Sequence, residues 1–271
     1  MSEDQGAAGG GAASTVVVER RGPALLLGLD RPAKHNALDE ATVDALHAAL
    51  RDAAREPCVV VVHSVTPGMF AAGADIAELL GRGADDARRG INATLFDALE
   101  HHPWPTVAAV GGPALGGGCE LALACDLRIA SPAARFGQPE PGLGIVAAAG
   151  AHWRLPQAVG LPLARRMLYT GEVLDAHAAL AAGLVSAVHP ADALLDEAVA
   201  LAERIATRSW RALELTKVAL RAHRPSTADL DREAQAELFE SVEKRERMTR
   251  FLEDRARRRA LRGPRPDGAP G

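Results

Sequence analysis

The chain has 271 residues, of which 48 % are hydrophobic and only 3 % aromatic, and its formal net charge is −4. This length allows one large globular domain or two modest ones, with a substantial core built mainly from aliphatic side chains. The acidic balance argues against nucleic acid as the principal partner, because nucleic-acid binding usually requires a basic surface.

Several kinds of site and segment are not expected. The three cysteines are odd in number and form no C-x-x-C pair, which argues against a disulfide framework and favours a reducing, cytoplasmic location. The nine histidines show no H-x-x-x-H or H-E-x-x-H spacing, so we expect no metal site. No apolar run of about eighteen residues is present, so we expect no transmembrane helix and no membrane partner. Residues 1–14 lack the apolar core of a signal peptide, and with residues 263–271 they are predicted to be disordered tails.

The first part of the chain alternates strand and helix patterns. Two apolar segments around a turn at Gly22-Pro23 predict strands over residues 15–18 and 24–29. Apolar residues at helical spacing predict a helix over residues 39–54. The continuous apolar run of residues 59–62 is typical of a strand buried on both faces.

The middle of the chain repeats this order. A glycine turn at Gly73-Ala74-Asp75 is expected to start a helix, and a further helix is predicted over residues 85–100. Buried strands are predicted over residues 106–110 and 127–130, with a helix over residues 120–124 between them. Strands that alternate with crossover helices indicate an α/β fold with parallel strands.

From about Leu194 onward the pattern changes to long charged helices without strand signals. Apolar residues are interspersed in the charged segment 233–259, and they need a surface to pack against: Leu238, Phe239, Val242, Met248 and Phe251. We therefore expect a helical appendage that mediates oligomerisation.

Two segments share one design, a buried strand followed by a glycine-containing turn and a helix start. One leads to Gly73-Ala74-Asp75 and the other to Gly116-Gly117-Gly118-Cys119-Glu120. Helix N-termini present unpaired N–H groups and the positive end of the helix dipole. Two of them together would stabilise a carbonyl oxygen that gains negative charge. Either turn alone is more simply interpreted as a tight turn before a crossover helix.

Two carboxylates accompany these turns. Glu120 begins an otherwise apolar helix, where a buried carboxylate is costly unless it is paired, hydrogen-bonded or used in catalysis. The alternative is a first-turn glutamate stabilised by the helix dipole. Glu140 lies between Pro139 and Pro141, and it could equally be a surface residue. Together the two would supply the pair of groups that acid–base chemistry needs.

The order and spacing of these and other motifs resemble the crotonase family, the enoyl-CoA hydratase/isomerase superfamily, over about residues 15–260. The matching segments are Leu29-Asp30-Arg31-Pro32 with Asn36-Ala37-Leu38, Phe70-Ala71-Ala72-Gly73-Ala74-Asp75-Ile76, residues 105–126 with the Gly-Gly-Gly-Cys-Glu core, Phe136-Gly137-Gln138-Pro139-Glu140, Thr170-Gly171-Glu172, and Ala181-Ala182-Gly183-Leu184-Val185.

The resemblance implies an α/β fold with a crotonase-like spiral of ββα units over residues 15–192. A helical oligomerisation region over residues 193–262 would assemble the chain as a homotrimer or a dimer of trimers. The implied activity is that of an enoyl-CoA hydratase, a hydro-lyase, which adds water across the C2–C3 double bond of a short- to medium-chain 2-enoyl-CoA. Coenzyme A is then part of the substrate, and no separate cofactor is expected.

The same resemblance implies roles for individual residues. Ala74 and Gly117 match the two backbone donors of an oxyanion hole for the thioester oxygen. Glu120 matches the base that activates the water, and Glu140 matches the acid that protonates C2. The positions expected to bind the substrate are Lys34, Ala72, Asp75, Ile76, Gly116 and Gly142.

The chain departs from the family pattern at three places. His152 and Trp153 replace a smaller polar pair near the expected acyl pocket, where they either pack against the following helix or reshape the pocket. Ala77 stands where a lysine often follows the Ala-Asp-Ile segment, and Asp254 stands where a C-terminal lysine is expected to reach the CoA phosphates. Two other residues could supply the missing cations: Lys34 and Arg255.

Two alternatives to hydration remain open. Isomerases, dehydratases and decarboxylases of the same family share the scaffold and the oxyanion hole, although isomerases generally lack one of the two glutamates. A non-catalytic interaction or RNA-binding module is the second alternative. The presence of both Glu120 and Glu140, together with the acidic balance, argues against it.

Overall fold

The computed structural model describes residues 15–221 and 228–262. Its strands are β1 (Val16–Arg21), β2 (Ala24–Leu29), β3 (Val59–Ser64), β4 (Thr106–Val110), β5 (Pro113–Leu115), β6 (Leu127–Ala130), β7 (Arg135–Gly137), β8 (Val173–Asp175) and β9 (Ala187–Val188). Its helices are α1 (Glu40–Ala53), α2 (Ile76–Gly81), α3 (Ala84–Arg89), α4 (Ile91–Glu100), α5 (Gly117–Ala124), α6 (Ala151–Val159), α7 (Leu161–Thr170), α8 (Ala176–Ala181), α9 (Leu194–Ala206), α10 (Trp210–Arg221), α11 (Ala228–Phe239) and α12 (Val242–Arg262). Short 3₁₀ turns cover Pro32–Lys34 and Glu140–Leu143. The predicted tails, residues 1–14 and 263–271, lie outside the described residues.

The strands form two sheets. The larger has the order β1-β2-β3-β4-β6-β9, in which β1 and β2 are antiparallel and the other neighbours are parallel. The smaller has the order β5-β7-β8, with β5 and β7 parallel. Apolar side chains of β3 and β4 are buried on both faces, as the continuous apolar runs predict. The α/β prediction is therefore confirmed.

Successive ββα units form a spiral because each contributes a chain segment to both sheets. In two of them β4 is followed by β5 and α5, and β6 is followed by β7 and, after a 3₁₀ turn, α6. In a third unit β3 is followed by Ala71, which forms an isolated parallel bridge with Ala114 of β5, and then by α2. The smaller sheet thus receives a segment from three consecutive units, as the resemblance implies.

Two apolar clusters flank the larger sheet. One face of the sheet is covered by α9 through Leu194, Ala198 and Ala202. The other face packs on α1, α4 and α5. Helix α9 therefore completes the core of the α/β region. The boundary between residues 192 and 193 stays a prediction.

The described residues from Leu194 onward form four helices, α9 to α12, and no strand, as predicted. Two of its apolar residues, Phe239 and Met248, are buried in a third cluster beside Leu79. Val242 and Phe251 remain exposed, at 60 % and 42 %. Among the described residues, no helix is both long and apolar enough to cross a bilayer.

Some predicted elements differ from the structure. The helix predicted over residues 85–100 is divided into α3 and α4, because Gly90 has a φ of +59° and ends the first helix in the left-handed conformation. Helix α5 begins at Gly117, three residues before the predicted start. Strands β5, β7, β8 and β9 were not predicted, since two or three residues are too few to show a periodic pattern.

Candidate active site

Three loops lie side by side at the carboxyl ends of the smaller sheet's parallel segments. β5 and β7 are parallel neighbours, and Ala71 bridges to β5, so the residues that follow these segments leave the same edge of the sheet. The loops carry residues 72–74, residues 116–117 and residues 139–140, all of which line one cavity. Tertiary pairing thus joins motifs that are far apart in the sequence.

The glycine run allows these loops to approach closely. Gly116 has a φ of +54°, and a Cβ on it would stand 2.8 Å from Glu140 Oε1. A Cβ on Gly118 would collide with the carbonyl oxygen of Ala71. Side chains at these two positions would therefore separate the loop that follows β5 from its two neighbours.

Two backbone N–H groups lie beside the cavity. A Cβ on Gly117 would stand only 3.5 Å from the backbone nitrogen of Ala74, so the two residues are close neighbours. Gly117 is the first residue of α5, where N–H groups have no partner within the helix. The Ala74 N–H makes no hydrogen bond among the described residues. Both groups can therefore donate to a ligand oxygen.

Glu120 is held at one oxygen by the backbone. Its side chain is 3 % exposed, and Oε1 accepts hydrogen bonds from the N–H groups of Ala149 at 2.8 Å and Ala151 at 3.1 Å. Burial raises the pKa of Glu120, and these two donors oppose that rise because they stabilise the carboxylate. Neither donor contacts Oε2, which leaves that oxygen for another partner.

Glu140 has a different environment in the same cavity. It is 7 % exposed at the start of the 3₁₀ turn Glu140–Leu143. Burial and the negative charge of Glu120 raise the pKa of Glu140 well above its usual range. With the Gln138 amide nitrogen oriented toward Glu140, it donates to Oε2 at 3.1 Å. The pair therefore favours an ionised Glu120 beside a protonated Glu140.

The structure separates the predicted substrate-binding residues into two groups. Ala72, Ile76 and Gly116 line the cavity with the two glutamates. The second group lies outside this lining and consists of Lys34, Asp75 and Gly142.

Each residue of the second group has another environment. Asp75 caps α2 by accepting from the Ala77 N–H at 3.0 Å. The exposed Lys34 ammonium lies 3.4 Å from Asp75 Oδ2. A Cβ on Gly142 would meet no atom within 4 Å.

His152 and Trp153 do not line the cavity that contains the two glutamates. Trp153 is 3 % exposed within α6, and the His152 side chain reaches outward to Asp231 of α11. His152 therefore contacts a helix, but that helix is α11 and not the one that follows α6 in the chain.

Sequence reasoning missed the groups that orient Glu120. Ala149 and Ala151 act through their backbone N–H groups, so their side chains give no signal. Arg154 supports them, since it donates to the Ala149 carbonyl at 2.8 Å and pairs with carboxylates of α4. Asn92 of α4 also lines the cavity, and its buried Oδ1 has no hydrogen-bond partner among the described residues. For the support of Glu120, the one available sequence signal was Arg154, a charged residue in a mostly apolar segment.

Comparisons with known proteins agree with this geometry. The family model for enoyl-CoA hydratase/isomerase matches residues 21–258. A crotonyl-CoA hydratase of Syntrophomonas wolfei is 38 % identical over 247 residues, covering 88 % of this chain and 94 % of the relative. A 2,3-dehydroadipyl-CoA hydratase of Escherichia coli is 42 % identical over 206 residues, covering 74 % and 80 %.

A solved structure gives the same result. The crystal structure of an enoyl-CoA hydratase from Bacillus anthracis has a TM-score of 0.74 and 32 % identity, covering 89 % of this chain and 96 % of that one. The fold, the motifs and the extent of the match agree. The chain belongs to the enoyl-CoA hydratase/isomerase family, the crotonase family.

Proposed function

We propose that the protein is an enoyl-CoA hydratase that adds water across the C2–C3 double bond of a short- to medium-chain 2-enoyl-CoA. The observation that carries this proposal is the pair of buried glutamates in one cavity, in environments that favour opposite protonation states. Acid–base addition needs one group to take a proton and another to give one. The names of the relatives support the same reaction.

In the proposed mechanism the N–H groups of Ala74 and Gly117 bind the thioester oxygen. Glu120 takes a proton from a water molecule through its free Oε2 as the water oxygen forms a bond to C3. The electrons of the double bond move toward the thioester oxygen, and the enolate that forms is stabilised by the two N–H groups. Glu140 then gives its proton to C2. Proton transfer that returns a proton from Glu120 to Glu140 restores the starting state.

The remaining contacts of the substrate follow from this pose. Ala72, Ile76 and Gly116 would contact the bound acyl thioester, because they line the cavity. Lys34 would meet the CoA phosphates as a half-exposed cation. Lys34→Ala is then expected to raise KM for crotonyl-CoA without lowering kcat, and an unchanged KM would exclude that role.

The direct test follows the products formed from crotonyl-CoA and from a 3-enoyl-CoA. A hydratase forms 3-hydroxybutyryl-CoA from the first compound. Failure to form any 3-hydroxyacyl-CoA from a panel of 2-enoyl-CoA thioesters, which differ in chain length and branching, would contradict the proposal. Conversion of the 3-enoyl-CoA alone would instead identify an isomerase.

The proposed roles of the two glutamates are tested by Glu120→Gln and Glu140→Gln. Each amide keeps the shape of the side chain but cannot carry out proton transfer. We expect kcat to fall by at least about 10²-fold in either variant, as is typical for loss of an acid or base. If neither substitution changed turnover, the residue assignment would be wrong even for an active enzyme.

We also propose that the chain assembles as a homotrimer or a dimer of trimers. The proposal is supported by apolar side chains that the single chain leaves exposed, which another subunit could cover. They are Leu215 and Leu220 of α10 and Val242 and Phe251 of α12. Light scattering after size exclusion is expected to give three or six times the mass of one chain. A monomer at micromolar concentration would contradict this assembly.

A further inference from the structure

Helix α11 holds the segment that follows Glu140 at two points. Asp231 Oδ1 accepts from His152 Nδ1 at 2.9 Å, and Gln235 Oε1 accepts from the Val146 N–H at 3.1 Å. Asp231 and Gln235 are four residues apart, so they lie on the same face of α11. This face therefore binds both ends of segment 146–152.

Segment 146–152 also holds Glu120. The N–H groups of Ala149 and Ala151 donate to Glu120 Oε1, and His152 directly follows Ala151 in the chain. The contact of His152 with α11 thus fixes the position of the second donor. Helix α11 in addition supplies Arg232, Gln235 and Phe239 to the lining of the cavity. One helix both forms a wall of the cavity and restrains the segment that orients Glu120.

The contact between His152 and Asp231 joins an imidazole to a carboxylate. Asp231 is 4 % exposed, and its Oδ2 has no hydrogen-bond partner among the described residues. An ionised carboxylate can only accept, so Nδ1 of His152 must donate. The hydrogen bond to Asp231 raises the pKa of His152, and the negative charge of Asp231 adds to this rise. Burial of His152 opposes it. The nearby charges are Asp231 from α11 and Glu120 from α5, and both favour the imidazolium.

We propose that His152 and Asp231 are a positioning pair, which restrains segment 146–152 so that Ala149 and Ala151 keep Glu120 Oε1 bound and leave Oε2 for the water. This inference rests on the proposed hydration. The oxyanion donors Ala74 and Gly117 belong to other loops, and they do not depend on the pair. Loss of the pair therefore affects the chemical step more than thioester binding.

The test compares steady-state kinetics of wild type, His152→Ala and His152→Asn with crotonyl-CoA. A misplacement of about 1 Å at a reacting group can cost up to 10²-fold in rate, so we expect His152→Ala to lower kcat about 10–100-fold. KM should stay within about threefold, since thioester binding is unchanged. Asparagine offers an N–H donor near the position of Nδ1, and it should restore most of kcat. Glu237→Ala, an exposed change on the same helix, is the matched control.

A double variant keeps the test decisive if His152→Ala does not fold. His152→Leu with Asp231→Leu removes both polar partners together, so no buried charge is left unpaired. It should keep the thermal midpoint of the wild type and lose kcat as His152→Ala does. A folded variant of either kind with wild-type kcat, or with a raised KM and unchanged kcat, would overturn the positioning role. An inactive wild type would instead overturn the proposed hydration itself.

Discussion

Arg154→Met tests how the base of the proposed site is supported. The Arg154 side chain is 4 % exposed, and it donates to Asp97 Oδ1 at 2.9 Å, Glu100 Oε2 at 2.5 Å and the Ala149 carbonyl at 2.8 Å. Methionine keeps an unbranched, flexible side chain in place of the arginine stem, but it ends before the guanidinium and provides no donor. The substitution therefore removes a buried cation from two carboxylates and keeps the apolar part of the packing.

The loss of stability follows from burial. Removal of one partner from a buried ion pair costs about 3–5 kcal/mol, because a charge is left uncompensated. Asp97 is 33 % exposed and Glu100 is 17 % exposed, so water compensates part of the loss and the lower end, about 3 kcal/mol, applies. For a chain of this size each kcal/mol lowers the midpoint by about 2–4 °C, which gives a decrease of roughly 6–12 °C.

Circular dichroism melts at one protein concentration measure this decrease. Arg211→Met is the control, because Arg211 pairs with Glu214 at 2.7 Å on the surface, where its side chain is 70 % exposed and the pair contributes little. Adding Glu100→Gln to Arg154→Met should recover part of the midpoint, since it removes one of the two carboxylates that have lost the Arg154 cation. A midpoint for Arg154→Met equal to that of the control would refute the reasoning.

Three further predictions follow from the same geometry. Gly118→Ala should prevent accumulation of soluble protein because the added Cβ collides with Ala71. Gly142→Ala is the control and should express normally, since no atom lies within 4 Å of the added Cβ. Equal yields of the two variants would contradict the predicted collision. Burial and the charge of Glu120 raise the pKa of Glu140 in the folded protein. The contribution of Glu140 to the free energy of unfolding is therefore lost as the pH rises from its pKa in the unfolded chain to its pKa in the folded protein. Glu140→Gln should then raise the thermal midpoint at neutral pH but not at about pH 4, and a pH-independent difference would disprove the shift. Burial raises the thiol pKa of all three cysteines, Cys58, Cys119 and Cys125. These thiols should react with a thiol reagent only after denaturation, and labelling of the native protein would contradict their burial.

Much of the fold was predictable because its signals are local. The apolar runs of β3 and β4 and the helical spacing of α1 follow from side-chain periodicity, which neighbouring residues carry by themselves. The division of the predicted helix at Gly90 was not predictable. Glycine in a helical pattern is compatible with either a continuous helix or a left-handed cap, and packing selects between them.

The sequence by itself determined the family, the glycine run and the two glutamates at their spacing. It did not determine that Glu120 and Glu140 share a cavity, since that depends on the parallel pairing of β5 with β7, two strands of three residues each. Nor did it identify the support of Glu120, because Ala149 and Ala151 act through backbone N–H groups that every residue except proline possesses. The contact between His152 and Asp231 joins residues 79 positions apart. Only tertiary packing brings such groups together, and their environment in turn sets which carboxyl holds the proton.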